Sequence, residues 1–332
     1  MVQIRRARSA EDLLRELRAG EGPFRAEILH FVSVDDRDVY NITPPFCDAG
    51  RWLIAGRVEN RRSEVSEVYF FAENERGEWE LLPDTPIFSL QDPFVARVQG
   101  ELVFGGVETF IHPRGVPPRF WWWRTILFRG SDVRSLRPFF YGPDGMKDIR
   151  LVELKDGRIG VFTRPQGKVG GRGKIGFFTV ESLDELRPDL FESAPILEGL
   201  FLDEEWGGVN EAQLLPDGRL AVIGHIARFT DEATRYRDYY ALTFVFDPVT
   251  FYFTDVRIVA ERRNFVEGPA KREDVANVVF PGGLVRNPDG TAVLYAGVSD
   301  AGTQRLFMPD VFRPYGLLPN PLHTPCGPRI ER

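Results

Sequence analysis

The sequence predicts an all-β protein, namely a five-bladed β-propeller preceded by a short N-terminal helix. Five segments of the 332-residue chain repeat one pattern, in which a polar residue leads into a strand, a turn contains glycine, and an apolar strand returns. We call these polar residues the anchors; they are Asn41, Asp92, Asp148, Glu211 and Asn277. They stand 51, 56, 63 and 66 residues apart, which is close to the length of a propeller blade of four strands.

The rest of each repeat has the strand pattern that such a blade needs. Each returning strand carries a glycine, namely Gly56, Gly105, Gly160, Gly224 and Gly297. Further strands are predicted between the repeats, at residues 67–73, 174–182, 238–248 and 251–260, where β-branched and aromatic residues are enriched.

One helix is predicted at residues 9–20. Ser9 is suited to cap its first turn, apolar residues follow on one face, and Gly20 is suited to end it. That face consists of Leu13, Leu14 and Leu17. A short helical turn is also predicted at residues 181–190.

We therefore predict a single domain over residues 1–332. It divides into a helical extension (1–24), the propeller (25–312) and a Pro-rich tail (313–332) that wraps the surface or is partly extended.

Composition excludes several classes of partner. The formal net charge of −7 and the absence of a basic stripe argue against nucleic acid. The most apolar run, at residues 120–128, is too short to cross a membrane, and residues 1–14 lack the apolar core of a signal peptide. The sequence thus predicts a soluble, cytoplasmic protein. Cys47 and Cys326 are expected to be two free thiols, although their separation leaves a disulfide open.

The anchors begin the innermost strands, which line the central channel of a propeller. Because side chains alternate along a strand, Asp148 and Arg150 are predicted to face the channel, whereas Ile149 and Leu151 pack against neighbouring blades. An Asp before Pro is usually a turn residue, and a lone buried His is usually structural. Repetition of acidic or amide residues in register is the observation that favours a functional site.

Three anchors are carboxylic acids, and glycoside cleavage requires such groups. One protonates the leaving oxygen, and a second activates water or attacks the sugar. The predicted catalytic residues are Asp92, Asp148 and Glu211. Residues predicted to bind sugar hydroxyls or phosphate are Asn41, Lys147, Arg150, Arg164, Trp206, Asn210, His225 and Asn277. The sequence has no zinc-ligand spacing and predicts no cofactor, but it leaves room for a structural cation in the channel.

Two further segments have more than one interpretation. The run FWWWR at residues 120–124 is expected to pack between blades, with a sugar-stacking platform at the rim as the alternative. The glycine-rich segment at residues 166–174 does not match a phosphate-binding loop and joins two strands, so it is expected to be a mobile loop over the channel mouth.

At these residues the chain resembles the five-bladed propeller glycosidases: fructosidases, arabinanases, xylosidases, and the mannoside phosphorylases and hydrolases of glycoside hydrolase family 130. The sequence QDP at residues 91–93 is similar to their second-blade motif. The arabinanase pattern implies that Glu211 is the general acid and that Asp148 orients it. Family 130 implies instead that Asp92 is the proton donor. The chain departs from arabinanases at Asn41, where they have a catalytic Asp.

Over residues 25–310 the chain most resembles the domain of unknown function 1861, in segments such as GMKDIRL and EEWGGVNEAQL. This resemblance implies a fold without a substrate. Three hypotheses remain: a hydrolase of a small oligosaccharide or glycoside, a glycoside phosphorylase in which phosphate replaces water, and a sugar-binding propeller without catalysis.

Overall fold

Five sheets surround a central channel and form the predicted five-bladed β-propeller, with one short helix at the N-terminal end. The computed structural model describes residues 6–20, 22, 24–116, 119–324 and 326; of residues 114–116, 119 and 120 it describes the backbone alone. Helix α1 (Ala10–Ala19) begins as predicted, since the Ser9 side chain accepts a hydrogen bond from the Asp12 N–H.

The strands of the first two blades follow one another in chain order. Two short strands come first, β1 (Arg25–Ile28) and β2 (Phe31–Val32). The first blade contains β3 (Asp38–Tyr40), β4 (Phe46–Asp48), β5 (Arg51–Glu59), β6 (Ser66–Glu73) and β7 (Trp79–Leu81). The second contains β8 (Gln91–Val98), β9 (Glu101–Val116), β10 (Arg119–Gly130) and β11 (Arg137–Tyr141).

The remaining three blades include the other predicted strands and helical turns. The third contains β12 (Arg150–Glu153), β13 (Ile159–Thr163) and β14 (Gly176–Val180), with helices α2 (Gly167–Gly170) and α3 (Pro188–Glu192) and a 3-10 turn at Leu183–Glu185. The fourth contains β15 (Trp206–Leu214), β16 (Leu220–Asp231), β17 (Tyr236–Phe246) and β18 (Phe253–Ala260). The fifth contains β19 (Val279–Arg286), β20 (Thr291–Val298) and β21 (Gly302–Pro309).

The N-terminal strands close the ring of blades, which the repeats do not reveal. Strand β1 pairs antiparallel with β21 and supplies the outer strand of the fifth blade, with Arg25 opposite Phe307. Strand β2 pairs parallel with β7 of the first blade. The segment from β1 to β2 therefore joins the last blade to the first.

Apolar side chains pack in the seams between neighbouring blades. Ile149 and Leu151 lie in the cluster between the second and third blades, together with Phe94, as the alternation of side chains predicts. Leu13 and Leu14 of α1 belong to the cluster shared by the third and fourth blades, so the helix covers the outside of that seam. The channel is thereby left to polar residues. Among the described residues, no helix is long and apolar enough to cross a membrane.

The expectation of two free thiols is wrong, because Cys47 and Cys326 form a disulfide. Their separation of 279 residues along the chain argued against a disulfide, but the tail packs against the first blade. There Leu322 packs into the cluster between the first and second blades, and the ring of His323 meets Trp52 edge to face. The disulfide fixes this part of the tail to β4.

Reduction of the disulfide is expected to lower the free energy of unfolding by about 2–4 kcal/mol, because the bridge restricts the unfolded chain. Urea denaturation followed by tryptophan fluorescence, with and without a thiol reductant, measures the difference. The double variant Cys47→Ser/Cys326→Ser is the control and should not respond to the reductant. An unchanged unfolding midpoint in protein whose reduction is verified by mass would contradict the prediction.

Candidate active site

Asn41, Asp92 and Asp148 share one backbone conformation at the head of the inner strands of the first three blades. Their φ angles are 46°, 49° and 60°, in the left-handed region that Asn and Asp adopt more readily than most residues. All three side chains are buried. These three anchors thus occupy equivalent positions at one end of the channel, called the mouth below.

Asp92 is held as a carboxylate by two donors from the first blade. Asn41 Nδ2 donates to Asp92 Oδ1 at 2.8 Å, and Arg57 Nη1 donates to the same oxygen at 3.1 Å. Burial raises the pKa of Asp92, but the charges of Arg57 and Lys147 and the Asn41 hydrogen bond outweigh it, so the pKa is below its ordinary value. No described residue donates to Asp92 Oδ2.

Asp148 is a second buried carboxylate, paired with a different arginine. Arg164 Nη1 lies 3.0 Å from Asp148 Oδ2, while Arg164 Nε donates to the Gly207 carbonyl of the fourth blade. Burial raises the pKa of Asp148, but the charges of Arg164 and Lys147 outweigh it and lower the pKa to about 2. Neither oxygen accepts a well-directed hydrogen bond from the described residues. A Cβ at Gly208 would lie 2.9 Å from Oδ2, so glycine lets the fourth blade approach this closely.

His225 is a buried, neutral imidazole beside Asp148. Its Nδ1 lies 2.8 Å from Asn210 Oδ1, and its Nε2 lies 3.9 Å from Asp148 Oδ2. Its ring stacks on Tyr239 at 5.5 Å, with Phe280 close to it. Burial lowers the pKa of His225 to about 3, although the charge of Asp148 opposes this. The imidazole therefore offers the mouth a polar, uncharged group.

Lys147 adds a positive charge that is not paired with a carboxylate of the described residues. Its side chain is half-buried and forms no hydrogen bond or ion pair with the residues that the structure describes. Lys147 directly precedes Asp148 in the chain, and its charge lowers the pKa of both Asp92 and Asp148. Arg150, by contrast, is occupied: its Nε donates to the Asn210 carbonyl, and its guanidinium stacks on Phe94.

The structure adds a second group of charges that the sequence analysis missed. Arg57 pairs with Glu59 at 2.7 Å, and Glu59 also pairs with Lys271. Asp300, in the turn between β20 and β21, has φ of 50° and no hydrogen bond or ion pair with the described residues. Burial raises the pKa of Asp300, and the charge of Asp92 adds to this. Glu59 and Asp300 thus add two carboxyl groups to Asp92 and Asp148.

A signal for these residues is present in the repeats. The third residue after the returning-strand glycine is acidic in three blades, namely at Glu59, Glu108 and Asp300. Two of the three reach the charges at the mouth, because the returning strand ends there. Alignment on the glycines, in addition to the anchors, could have found them.

Glu211 lies apart from the two ion-paired aspartates. A bulge at Asn210 separates the pair Val209–Gly224 from the pair Glu211–Ile223, and Glu211 Oε2 accepts a hydrogen bond from the Leu284 N–H at 2.7 Å. No contact that the structure describes joins Glu211 to Asp92 or Asp148. Burial raises the pKa of Glu211 to about 7, although the Leu284 N–H opposes this.

The remaining candidates line the edge of the site or support it. Asn277 is exposed, and its carbonyl accepts a hydrogen bond from the Tyr239 N–H. Trp206 is buried, and its Nε1–H donates to the Tyr239 hydroxyl at 3.0 Å. Trp206 thus positions the tyrosine that stacks on His225. Glu205 caps the start of α1 by accepting from the Ala10 N–H.

The run at residues 120–124 differs from the expectation at Trp121, whereas the mobility of the segment at residues 166–174 stays a prediction. Trp121 does not pack between blades, since 62% of it is exposed, and of Phe120 the structure describes no side chain. The segment at residues 166–174 contains α2 and is held to the fourth blade, because the Gly207 N–H donates to the Gly173 carbonyl.

The mouth brings acceptors and a cation together. Ionised aspartates are acceptors for hydroxyl groups, and an ammonium group such as that of Lys147 attracts anions. Among the described residues, no group of three or more His, Cys, Asp or Glu is arranged to hold a metal ion.

Comparison with known proteins identifies relatives over nearly the whole chain. The family model described as "Protein of unknown function (DUF1861)" matches residues 17–314. A mannose phosphorylase from Leishmania mexicana, solved in complex with phosphate ion, is 34% identical, with a TM-score of 0.85 over 94% of this chain and 96% of its own. A GDP-Man-dependent mannosyltransferase from the same organism is 31% identical, with a TM-score of 0.85 over 95% and 98%.

More distant structures share the fold. The β-1,2-mannobiose phosphorylase from Listeria innocua is 13% identical, with a TM-score of 0.59 over 86% of this chain and 91% of its own. No curated protein matches the chain.

Replacement of Glu211 by Gln should change how stability depends on pH. The pKa of this carboxyl is about 7 in the folded protein, against an ordinary value of 4.5, so the folded state binds more protons between these values. Wild-type stability should therefore fall as pH rises from 4.5 through 7, by about 3 kcal/mol. Glu211→Gln, which keeps an acceptor for Leu284, should remove this loss.

Denaturation of both proteins at acid, neutral and alkaline pH tests this prediction. The variant should gain stability relative to wild type above neutral pH and match it below pH 4.5. Parallel pH profiles for the two proteins would contradict it.

Proposed function

This chain belongs to the DUF1861 family, and from that premise we propose that it transfers a mannosyl group between a mannoside and inorganic phosphate. Two relatives above 30% identity act on mannose or GDP-Man, one of them as a phosphorylase solved with phosphate ion. The proposal selects phosphate as the second substrate because of the charges at the mouth of this chain.

The observation that carries the proposal is Lys147, which precedes Asp148 in the chain, forms no ion pair with the described residues, and lowers the pKa of both Asp92 and Asp148 by its charge. Arg57 and Arg164 already neutralise these two carboxylates. Lys147 is therefore an additional cation within a buried polar site, and such a cation favours an anionic ligand. A phosphate ion bound there lies next to the carboxyl group that has to protonate the leaving sugar.

In the proposed reaction a phosphate oxygen attacks the anomeric carbon as the bond from that carbon to the glycosidic oxygen breaks. Asp92 donates its proton to the departing oxygen, and the products are mannose 1-phosphate and a glycan shortened by one sugar. Phosphate is already negatively charged, so its oxygen can attack without a base carboxylate that removes a proton from it. This agrees with an amide, Asn41, where arabinanases have a catalytic Asp.

Asp92 must be protonated before it can act as the acid. In the ligand-free protein the charges of Arg57 and Lys147 keep its pKa low. A phosphate dianion at Lys147 offsets that positive charge and adds a negative one, so it raises the pKa of Asp92. Phosphate binding is thus expected to favour the protonated form of Asp92, which is the form that can act as the acid. Glu211 has the higher pKa of the two but lies apart from Lys147.

Asp148 and the groups around it are proposed to bind the sugar. Its two orphaned oxygens can accept hydrogen bonds from hydroxyl groups, and Arg164 holds it ionised. His225 and Asn210 supply uncharged polar groups on the same side. Arg150 donates to the Asn210 carbonyl and Trp206 donates to the Tyr239 hydroxyl, so both residues stabilise the groups that bind the sugar. Asn41 and Asn277 are the further polar residues of the mouth.

Replacement of Lys147 by Met should raise the KM for phosphate by about tenfold or more, since one charge-assisted contact is lost. Mannose 1-phosphate released from mannobioses, β-1,2-mannobiose among them, is measured at increasing phosphate concentration. Lys155→Met is the matched control, because this exposed lysine donates to the Pro216 carbonyl in another part of the blade. Turnover that does not depend on phosphate indicates hydrolysis, and turnover that requires GDP-mannose indicates a nucleotide-sugar transferase; either result contradicts the proposal.

Replacement of Asp92 by Asn should lower kcat for phosphorolysis by about 10²–10⁴-fold, because the amide cannot donate the proton to the leaving oxygen. Asp217→Asn, in an exposed turn, serves as the control. Unchanged kcat in a folded Asp92→Asn variant would assign the acid to another group, and Glu211→Gln would then be measured in the same assay.

A further inference from the structure

A long ribbon of two strands extends from the second blade and carries exposed aromatic rings. Strand β8 pairs with β9 only as far as Val107, and β11 pairs with β10 only from Ile126 onward. Beyond these residues, the described parts of β9 and β10 pair with each other, with Trp121 opposite Ile111. A two-stranded ribbon in water is marginally stable, so its exposed apolar residues call for an explanation.

One face of the ribbon carries an exposed indole, and the other face carries the polar side chains. Trp121 and Ile111, which lie opposite each other on the first face, are 62% and 65% exposed. On the second face, Trp122 stacks on His112 with ring centroids 4.2 Å apart, and Arg124 pairs with Glu108 at 2.8 Å. An exposed, flat indole with a polar N–H suits the C–H face and hydroxyl groups of a sugar ring.

The base of the ribbon is tied to the segment that leads into the mouth. The Gly145 N–H donates to the Trp123 carbonyl at 2.6 Å, and Asp144 pairs with His112 at 3.1 Å. Asp148 follows Gly145 after three residues. Two residues of strand, one hydrogen bond and three residues of chain place the Cα of Trp121 at most about 25 Å from that of Asp148. The ribbon is thus within reach of an oligosaccharide that occupies the mouth.

We propose that Trp121 forms an extended glycan-binding subsite, which holds the part of a mannooligosaccharide that projects from the mouth. The proposal rests on the proposed function for the identity of the sugar. It commits to the glycan as occupant because the ribbon is continuous with the segment that carries Lys147 and Asp148. Docking of a second copy of the chain on the ribbon is the competing outcome.

Trp121→Ala tests the proposal in phosphorolysis of mannobiose and longer mannooligosaccharides. The preference for the longer substrates, taken as the ratio of kcat/KM values, should fall about three- to tenfold through KM, because one stacking contact is lost. Trp121→Tyr should restore much of the preference. Ile111→Ala is the matched control: it removes an exposed apolar side chain directly opposite, without a ring, and should keep the preference. An unchanged ratio in Trp121→Ala overturns the proposal.

A binding measurement separates the subsite from the proposed reaction. Wild-type protein, Trp121→Ala and Ile111→Ala are titrated calorimetrically with a long mannooligosaccharide in the absence of phosphate. Loss of affinity in Trp121→Ala alone supports the subsite even if no turnover is found, in which case the proposed function fails by itself. Equal affinities overturn the subsite. A change of sedimentation-derived mass in Trp121→Ala without a change of glycan affinity assigns the ribbon to self-association and also overturns it.

Discussion

The buried pair of Asp148 and Arg164 is the interaction on which the electrostatics of the mouth depend. Two charges removed from water are stable only if each meets the other and their remaining polar atoms find partners. Arg164 meets part of this condition, because its Nε donates to the Gly207 carbonyl, which links the third blade to the fourth. The two oxygens of Asp148 accept no well-directed hydrogen bond from the described residues. Burial keeps neighbouring His225 neutral, and the charge of Arg164 adds to this by lowering its pKa. Lys147 forms no ion pair with the described residues.

The repeat was sufficient to predict the fold and to select three residues in equivalent positions of the first three blades. The turn glycine follows Asn41, Asp92 and Asp148 after nine, eight and nine residues, and these three share the left-handed conformation. It follows Glu211 after seven residues and Asn277 after thirteen. The unequal spacing was visible in the sequence, but the bulge at Asn210 in the fourth blade was not. A slip of one residue turns a side chain to the other face of a strand, so Glu211 and Asn210 take different roles from those that spacing assigns.

Other parts of the structure could not be predicted because they depend on contacts between distant segments. The pairing of β1 with β21 leaves no periodic signal, since β1 is a lone strand of four residues. The disulfide likewise follows from the path of the tail across the first blade and not from cysteine spacing. Asp300 and Glu59 join the mouth only when the first and fifth blades are neighbours. The closed ring therefore creates the part of the site that spacing along the chain does not show.

The closure by β1 also sets an order of events during synthesis. The strand Arg25–Ile28 is synthesised before the blades, but its partner, residues Gln304–Phe307, belongs to the last of them. Each middle blade can pair its own strands as soon as it is complete, because those contacts are local. The fifth blade cannot acquire its outer strand until β21 has been synthesised, and contacts of such long sequence separation form slowly. Strand β1 thus stays unpaired while the blades are made, and in this period a nascent chain most needs protection from association with other chains.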